Sequence, residues 1–444
     1  MSLPDLPALL AELEARLGGD PSALARERTA LLRAVALEAH RQAAGKVKTV
    51  PSVGIPDPSW LGVWYTPGVS SVSLAIRDDP EASFDLTGRG NRVAIVTDST
   101  RVLGDGDCGP AGGMAVMEGK ALLMSLLAGI DAWPVCADTR RPDGSSDPER
   151  LLSFVRALVP SVGAINLEDI SQPCCYQVLE ALRESCGIPV WHDDAQGTAC
   201  VVLAAVENAL ILTGRRLQDT SFVLLGAGAA NSTTARLLFA AGADPALVTV
   251  FDEHGQLEPS RSDFEGPGWE WHRRFCAMAG RRFTSPASAL SDADVLIAAS
   301  RPGPGVVPPE WVRGMAPDPV VIACANPVPE IYPSDALSAG AAVVATGRGD
   351  FPNQVNNALA FPGILRGALD CRALSISDGM ALAASSAIAA LARERGITPV
   401  SIVPPVDDPD LVRTVAAATA ERAVSEHLAR KTLPPDHFSL LTQK

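Results

Sequence analysis

Between residues 92 and 347 the chain repeats one pattern: a short apolar run, then a segment whose apolar residues recur every three or four positions. RVAIVTD (92–98), DAWPVCAD (131–138), VGAINLED (162–169) and IPVWHDD (188–194) read as strands. Helices are expected over 114–129, 148–158 and 173–186, and a long one follows the fourth strand to about 212. Strands separated by helices make βαβ units, and a parallel sheet buried on both faces is the one arrangement that pairs them. A second series follows: TSFVLLGAGAANSTTARLLFAAGA (220–243), LVTVFDEHG (247–255), ADVLIAAS (293–300), PVVIACANP (319–327) and AAVVATG (341–347). The fold class is α/β with two parallel-sheet domains. Residues 1–212 form N-terminal helices and a catalytic domain, 213–375 a nucleotide-binding domain, and 376–444 C-terminal helices packing back on the first domain. Residues 3–44 read as helical and the Pro/Gly-rich stretch 50–69 as irregular or extended. The polar segment 255–269 reads as an exposed loop.

In open parallel sheets, ligands sit at the carboxyl ends of the strands, so chemistry is sought there. FVLLGAGAANSTTA gives a strand, then Gly226-x-Gly228, then a helix, and the next strand ends at Asp252. The glycines allow a tight turn and close backbone approach to a pyrophosphate. The helix N-terminus at Ala229 and Ala230 faces the negative charge, and Asp252 takes the ribose hydroxyls. This is a Rossmann-type dinucleotide pattern; an ordinary glycine-rich turn is the alternative. Asn231 stands where glycine or alanine is usual. Glu253, beside Asp252, disfavours a 2′-phosphate, so NAD is expected, with NADP possible.

Glu168-Asp169 ends one strand and Asp193-Asp194 the next. Four carboxylates on one sheet edge raise each other's pKa and resist shared burial unless a cation joins them. Oxygen-only donors suit Mg²⁺ or Mn²⁺. Helix caps or solvated loop ends are the competing explanation, and a neighbouring His192 reads as structural. Arg101, at the same edge, is a candidate fork for a substrate carboxylate or an ordinary surface arginine.

The helix segment VMEGKALL holds Lys120. The chain has 37 lysines and arginines, of which five are lysine, and Lys120 is the one lysine between 49 and 430. Guanidinium cannot give up its proton in a protein whereas an ammonium can, so a lone amine suggests a proton acceptor; chance in an arginine-biased chain is the alternative. Tyr65, one of three tyrosines, is a candidate acid or a packing residue.

The net charge of −14 argues against nucleic-acid binding, which needs a basic face. The cysteines lack CxxC spacing, so no zinc or disulfide framework is indicated. The run GMALAASSAIAALA is too short to span a bilayer, and the acidic N-terminal segment does not resemble a signal peptide. A cytoplasmic protein, without membrane or nucleic-acid partners, is expected.

Taken in order, YTPGV, VTDSTRVLG, VMEGKALL, INLEDI, HDDAQGTA, GAGAA, ANPVPEI and TGRGDFPNQVNNALAFPGILRGALD resemble the malic enzyme family in its shorter bacterial form, from about residue 35 to 395. The resemblance implies NAD(P)- and metal-dependent oxidative decarboxylation of (S)-malate, a small dicarboxylate, in a homodimer or higher homo-oligomer. It implies Tyr65 as general acid, Lys120 as general base assisted by Asp193, and Arg101, Asn326 and Asn357 as substrate-binding residues. Asn326 would also lie by the cofactor, with Gly226, Gly228, Ala229, Ala230 and Asp252. Glu168, Asp169 and Asp194 would hold Mg²⁺ or Mn²⁺. Ser99 departs from a usual glycine, Asp105 from a usual apolar residue, and Asn231 as above. A substituted malate, a malate-to-lactate reaction, or a non-catalytic NAD-binding regulator are the alternatives.

Overall fold

The computed structural model describes residues 4–102 and 105–440; Leu103 and Gly104 of the TRVLG stretch lie outside the described residues. Strands β1 (Arg92–Thr97), β2 (Asp131–Cys136), β3 (Ala164–Leu167) and β4 (Val190–His192) form a parallel sheet in the order β2-β1-β3-β4. The chain moves from β1 outward to β2, then returns to the other side of β1. That reversal opens a crevice at the carboxyl ends of β1 and β3, where neighbouring loops part. Val96 lies beside Leu167 and Leu167 beside His192. Thr97, Glu168 and Asp193 therefore follow as one row at the sheet edge, and Asp98, Asp169 and Asp194 as the next.

The second sheet holds β5 (Phe222–Leu225), β6 (Val248–Asp252), β7 (Gly255–Gln256), β8 (Val295–Ala298), β9 (Val320–Ala323) and β10 (Val343–Thr346), in the order β10-β9-β8-β5-β6-β7. All pairs are parallel except the short hairpin β6–β7. Here the reversal falls between β5 and β8, at the glycine turn. Both sheets are buried on both faces except at the edge strand β2, where Asp131 and Trp133 are exposed, the burial that flanking helices impose.

Helices occupy Pro148–Leu158, Cys174–Ser185 and Ala229–Ala240, close to the expected spans. The long helix after β4 opens with a π-turn, Asp193–Gly197, before Thr198–Leu212. Its residues Ala199–Val206 are buried, and the helix packs between Ala229–Ala240 and the C-terminal helix Asp378–Arg395. Asn208 fastens that contact by donating to Ala389 O (3.0 Å) and Ile402 O (2.8 Å). The tail thus packs on the helix Thr198–Leu212, which connects the two sheets. Two helical stretches, Pro110–Ala128 and Asp193–Leu212, are longer apolar runs than the one singled out in the sequence and meet the length and composition of a membrane span. The second is mostly buried inside the protein, and the first packs on β1 and β2 and carries Lys120.

Two expectations change. Residues 58–64 are not extended but form a 3₁₀ turn, Pro58–Trp60, and a short helix, Leu61–Trp64. Segment 255–269 is not a free loop: it pairs β7 with β6 and buries Leu257 and Phe264. The apolar residues inside that polar stretch are its anchors.

Candidate active site

Lys120 sits midway along the helix Met114–Ala128, with Met117, Ala121 and Met124 of the same helix buried in the core. That packing directs Lys120 over the first sheet's carboxyl edge. Its Nζ donates to Asp193 and lies 3.0 Å from Glu168 Oε1, and the side chain is 11% exposed. The Phe361 ring lies beneath it, 4.6 Å from Nζ to the centroid. Burial would strip the proton from Lys120, but Asp193, Glu168 and Asp194 outweigh that desolvation and hold the amine protonated.

Glu168, Asp169 and Asp194 each offer a carboxylate oxygen within 4.8 Å of the others. Local structure fixes each one. Asn166 donates to Glu168 Oε2 at 2.8 Å. Asp169 is in the left-handed region, φ 54°, which aspartate tolerates. This turn lets its N–H donate to Asp194 Oδ2 at 2.7 Å, while its carbonyl accepts the Arg101 N–H at 3.0 Å. Trp191 Nε1 donates to Asp193 Oδ1 at 3.0 Å, so Asp193 is held between an indole and an amine. The π-turn gives Asp193 and Asp194 their different directions, one to the lysine and one to the carboxylates. Gly197 closes that turn: a Cβ there would overlap Asp193 Oδ1 and come within 3.1 Å of Asn357 Cβ.

Burial pushes the Glu168 carboxyl up to about 7, with Asp194 adding to it and Lys120 opposing. Burial likewise raises Asp193 to about 6 against the pull of Lys120, and raises Asp194. Burial lowers His192 to about 4, so it is neutral; its ring lies within the fold, as a structural residue would. The three-carboxylate set fits a hard divalent cation: oxygen donors alone, converging, Glu168 and Asp169 buried and Asp194 part-exposed, and carrying more negative charge than one amine balances.

Arg101 is exposed at the same edge, and its guanidinium makes no hydrogen bond or ion pair among the described residues. Ser99, at the usual glycine position, takes φ 58° and is buried. Asp105 lies at the surface, 3.4 Å from Arg33. Asn357 begins a 3₁₀ turn that packs on the π-turn. Asn326 is exposed beyond β9, against Gly347. Its loop is tied by Arg348 to Pro327 O (2.5 Å) and by the buried Glu330, which accepts from Ala325 N (3.0 Å) and Ser300 N (2.8 Å). Tyr65 is not brought to the cluster: it is 71% exposed, and its hydroxyl has no partner among the described residues.

The glycine turn has the form a dinucleotide needs. Gly226 has φ 97°, and a Cβ there would strike Ala299 O and approach Ser300 Cα to 3.1 Å. A Cβ on Gly228 would meet nothing within 4 Å, so open space faces the helix start at Ala229 and Ala230, whose first-turn amides lack intrahelical acceptors. Asn231 is buried and donates to Leu225 O (3.0 Å), Gly226 O (3.0 Å) and Ile297 O (3.2 Å). It replaces close helix–strand packing with a hydrogen-bonded bridge between β5 and β8. Asp252 ends β6 and is gripped by Arg261 at 3.0 and 2.6 Å. Glu253, which suggested the cofactor preference, has an 86% exposed side chain directed to solvent.

Sequence reasoning missed Asn166, Trp191, Phe361, Glu330, Arg348 and Arg261. The first three look like ordinary strand and helix residues. A polar Asn166 inside the apolar run AINL was the one visible signal.

Two family descriptions match: "Malic enzyme, N-terminal domain" over residues 45–183 and "Malic enzyme, NAD binding domain" over 195–426. The NAD-dependent malic enzyme of Geobacillus stearothermophilus is 42% identical over 87% of this chain and 78% of its own length. The bifunctional malic/malolactic enzyme of Bacillus subtilis is 40% identical over 93% and 98%. The crystal structure of Entamoeba histolytica malic enzyme superposes with a TM-score of 0.90 at 48% identity, covering 93% of this chain and 85% of that one. The two matched domains and relatives aligned along nearly the whole chain agree with the geometry of both sheet edges, and the chain belongs to the malic enzyme family.

Proposed function

We propose that this protein oxidises (S)-malate with NAD and decarboxylates it to pyruvate and CO₂. One observation carries the reading: a buried amine, 3.0 Å from Glu168, shares that carboxylate with a three-carboxylate cluster. Arg101, exposed and unpaired among the described residues, faces a substrate carboxylate, and Asn357 lies against the turn that holds Asp193 and Asp194. Lys120, once neutral, accepts the C2 hydroxyl proton while the C2 hydride leaves to the nicotinamide. Asp193 holds the amine in place and balances its charge. Loss of CO₂ from the resulting β-keto acid leaves enolpyruvate, which Tyr65 protonates at C3.

Glu168, Asp169 and Asp194 would hold Mg²⁺ or Mn²⁺, which supplies Lewis acidity at the C2 oxygen. Held there, a dication would take up the negative charge of Glu168 and Asp194, two of the carboxylates that keep Lys120 protonated. Gly226, Gly228 and the amides at Ala229 and Ala230 would receive the pyrophosphate, Asp252 the ribose, and Asn326 the nicotinamide end.

The protein works as a homodimer or larger homo-oligomer. Trp60, Leu61, Val63, Trp64, Val69 and Leu74 form an exposed apolar arm around the still more exposed Tyr65. A second copy covers this arm and gives Tyr65 an enclosed setting. A cytoplasmic site of action is part of the same proposal.

The test is an assay of (S)-malate with NAD⁺ or NADP⁺ and Mn²⁺ or Mg²⁺, following the reduced cofactor and the product together. Pyruvate equimolar with NADH is expected. Lactate without net NADH would instead favour the malolactic reaction named for the B. subtilis relative, and no turnover of malate would defeat the reading.

A further inference from the structure

The guanidinium of Arg261 is saturated. Its Nε donates to Asp263 Oδ1 (2.6 Å), and its Nη2 to Asp263 Oδ2 (2.5 Å) and Asp252 Oδ2 (2.6 Å). Its Nη1 donates to Asp252 Oδ1 (3.0 Å) and Gln256 O (3.4 Å). An arginine has five N–H donors, and all five are used. The group is 13% exposed and lies 4.9 Å from the centroid of the buried Phe264. Phe264 packs on His272 (5.0 Å between centroids), whose Nε2 is 2.9 Å from Ala227 O in the glycine turn. The segment after β7 therefore carries an arginine to the acid that ends β6 and is anchored to the turn itself. An arginine beside that acid is the group that accepts a 2′-phosphate in NADP-using folds of this type. Here the Nε–Nη2 edge, the side that best grips a phosphate two-handed, is occupied by Asp263.

We propose that Asp263 sets the choice of cofactor: by filling the outer edge of the Arg261 fork it denies a 2′-phosphate the arginine held beside Asp252, and so selects NAD over NADP. Asp263 is 46% exposed on its side chain, so it can swing away without unfolding the segment. The proposal rests on the dinucleotide reading above and does not depend on malate being the substrate.

The test is direct binding of NAD⁺ and NADP⁺ by calorimetry to wild type, Asp263→Asn, and Asp263→Asn combined with Arg261→Gln. Wild type is expected to bind NAD⁺ at least tenfold more tightly than NADP⁺. Asp263→Asn should narrow that ratio at least fivefold by tightening NADP⁺, and the added Arg261→Gln should remove the gain. A ratio unchanged within twofold in Asp263→Asn, or a gain that survives loss of Arg261, overturns the proposal. Malate turnover on the same wild-type preparation separates the two readings: binding as stated with no turnover defeats the proposed reaction and leaves the gate standing.

Discussion

At the residue scale, the site depends on charge held out of water. Lys120 is held against the carboxylates of Asp193, Glu168 and Asp194, so its replacement has two separable effects. Lys120→Arg keeps the positive charge but cannot lose a proton; kcat is expected to fall by a factor of about 10² to 10⁴ while NAD⁺ affinity is unchanged, measured by turnover and by calorimetry. The carboxylates carry the pH dependence. Glu168 is raised from 4.5 to about 7, so in the metal-free protein its contribution to stability is fully present below pH 4.5 and is lost as pH rises through 7. The same proton competes with a cation, so Mn²⁺ affinity is expected to be roughly tenfold weaker at pH 6 than at pH 8. Glu168→Gln should abolish most of that slope; calorimetric titration at both pH values would show it, and an unchanged slope would discard Glu168 as the competing group. Asn231 belongs to this scale too. Asn231→Ala leaves three carbonyls unbridged under the glycine turn and is expected to cost about 1–3 kcal/mol in urea denaturation.

At the element scale, the π-turn Asp193–Gly197 does what no single side chain does. The wider turn lets consecutive aspartates face different partners, Lys120 for one and the Asp169 amide for the other. Gly197 has no room for a methyl group. Gly197→Ala is expected to cost about 1–3 kcal/mol from overpacking and to lower kcat far more than it raises the KM for NAD⁺, because it displaces Asp193 and Asn357 and leaves the second sheet untouched. Steady-state kinetics with thermal unfolding would measure both. The strands, by contrast, were legible: alternation of apolar runs with helical spacing placed all of the parallel strands close to their observed bounds. The π-turn was not, since DDAQGTA looks like any polar helix start when only spacing is read. The segment 255–269 misled for a related reason. Its polarity suggested exposure, and two apolar residues within it decide its path.

At the scale of the whole molecule, the exposed arm is the least complete part of the fold. Seven large side chains from Trp60 to Leu74, Tyr65 among them, face solvent, and Trp60 and Trp64 stack at 5.7 Å to make a flat apolar surface. Trp64→Glu is expected to shift the protein from dimer or larger assembly toward monomer in light scattering, with activity that recovers on raising protein concentration; an unchanged mass would place the interface elsewhere.

The order of apolar runs and turns was enough to dictate two parallel sheets and the edge of each at which ligands bind, because strand burial and helix periodicity are local properties of the chain. Residue chemistry alone also marked Lys120, the acidic pairs and the glycine turn, since few other roles suit those groups at strand ends. What required the folded molecule was contact between distant segments: Lys120 with Glu168, Arg101 with Asp169, Arg261 with both aspartates, and Phe361 beneath the amine. Those pairings depend on strand order and helix packing, which set distances that no spacing along the chain encodes.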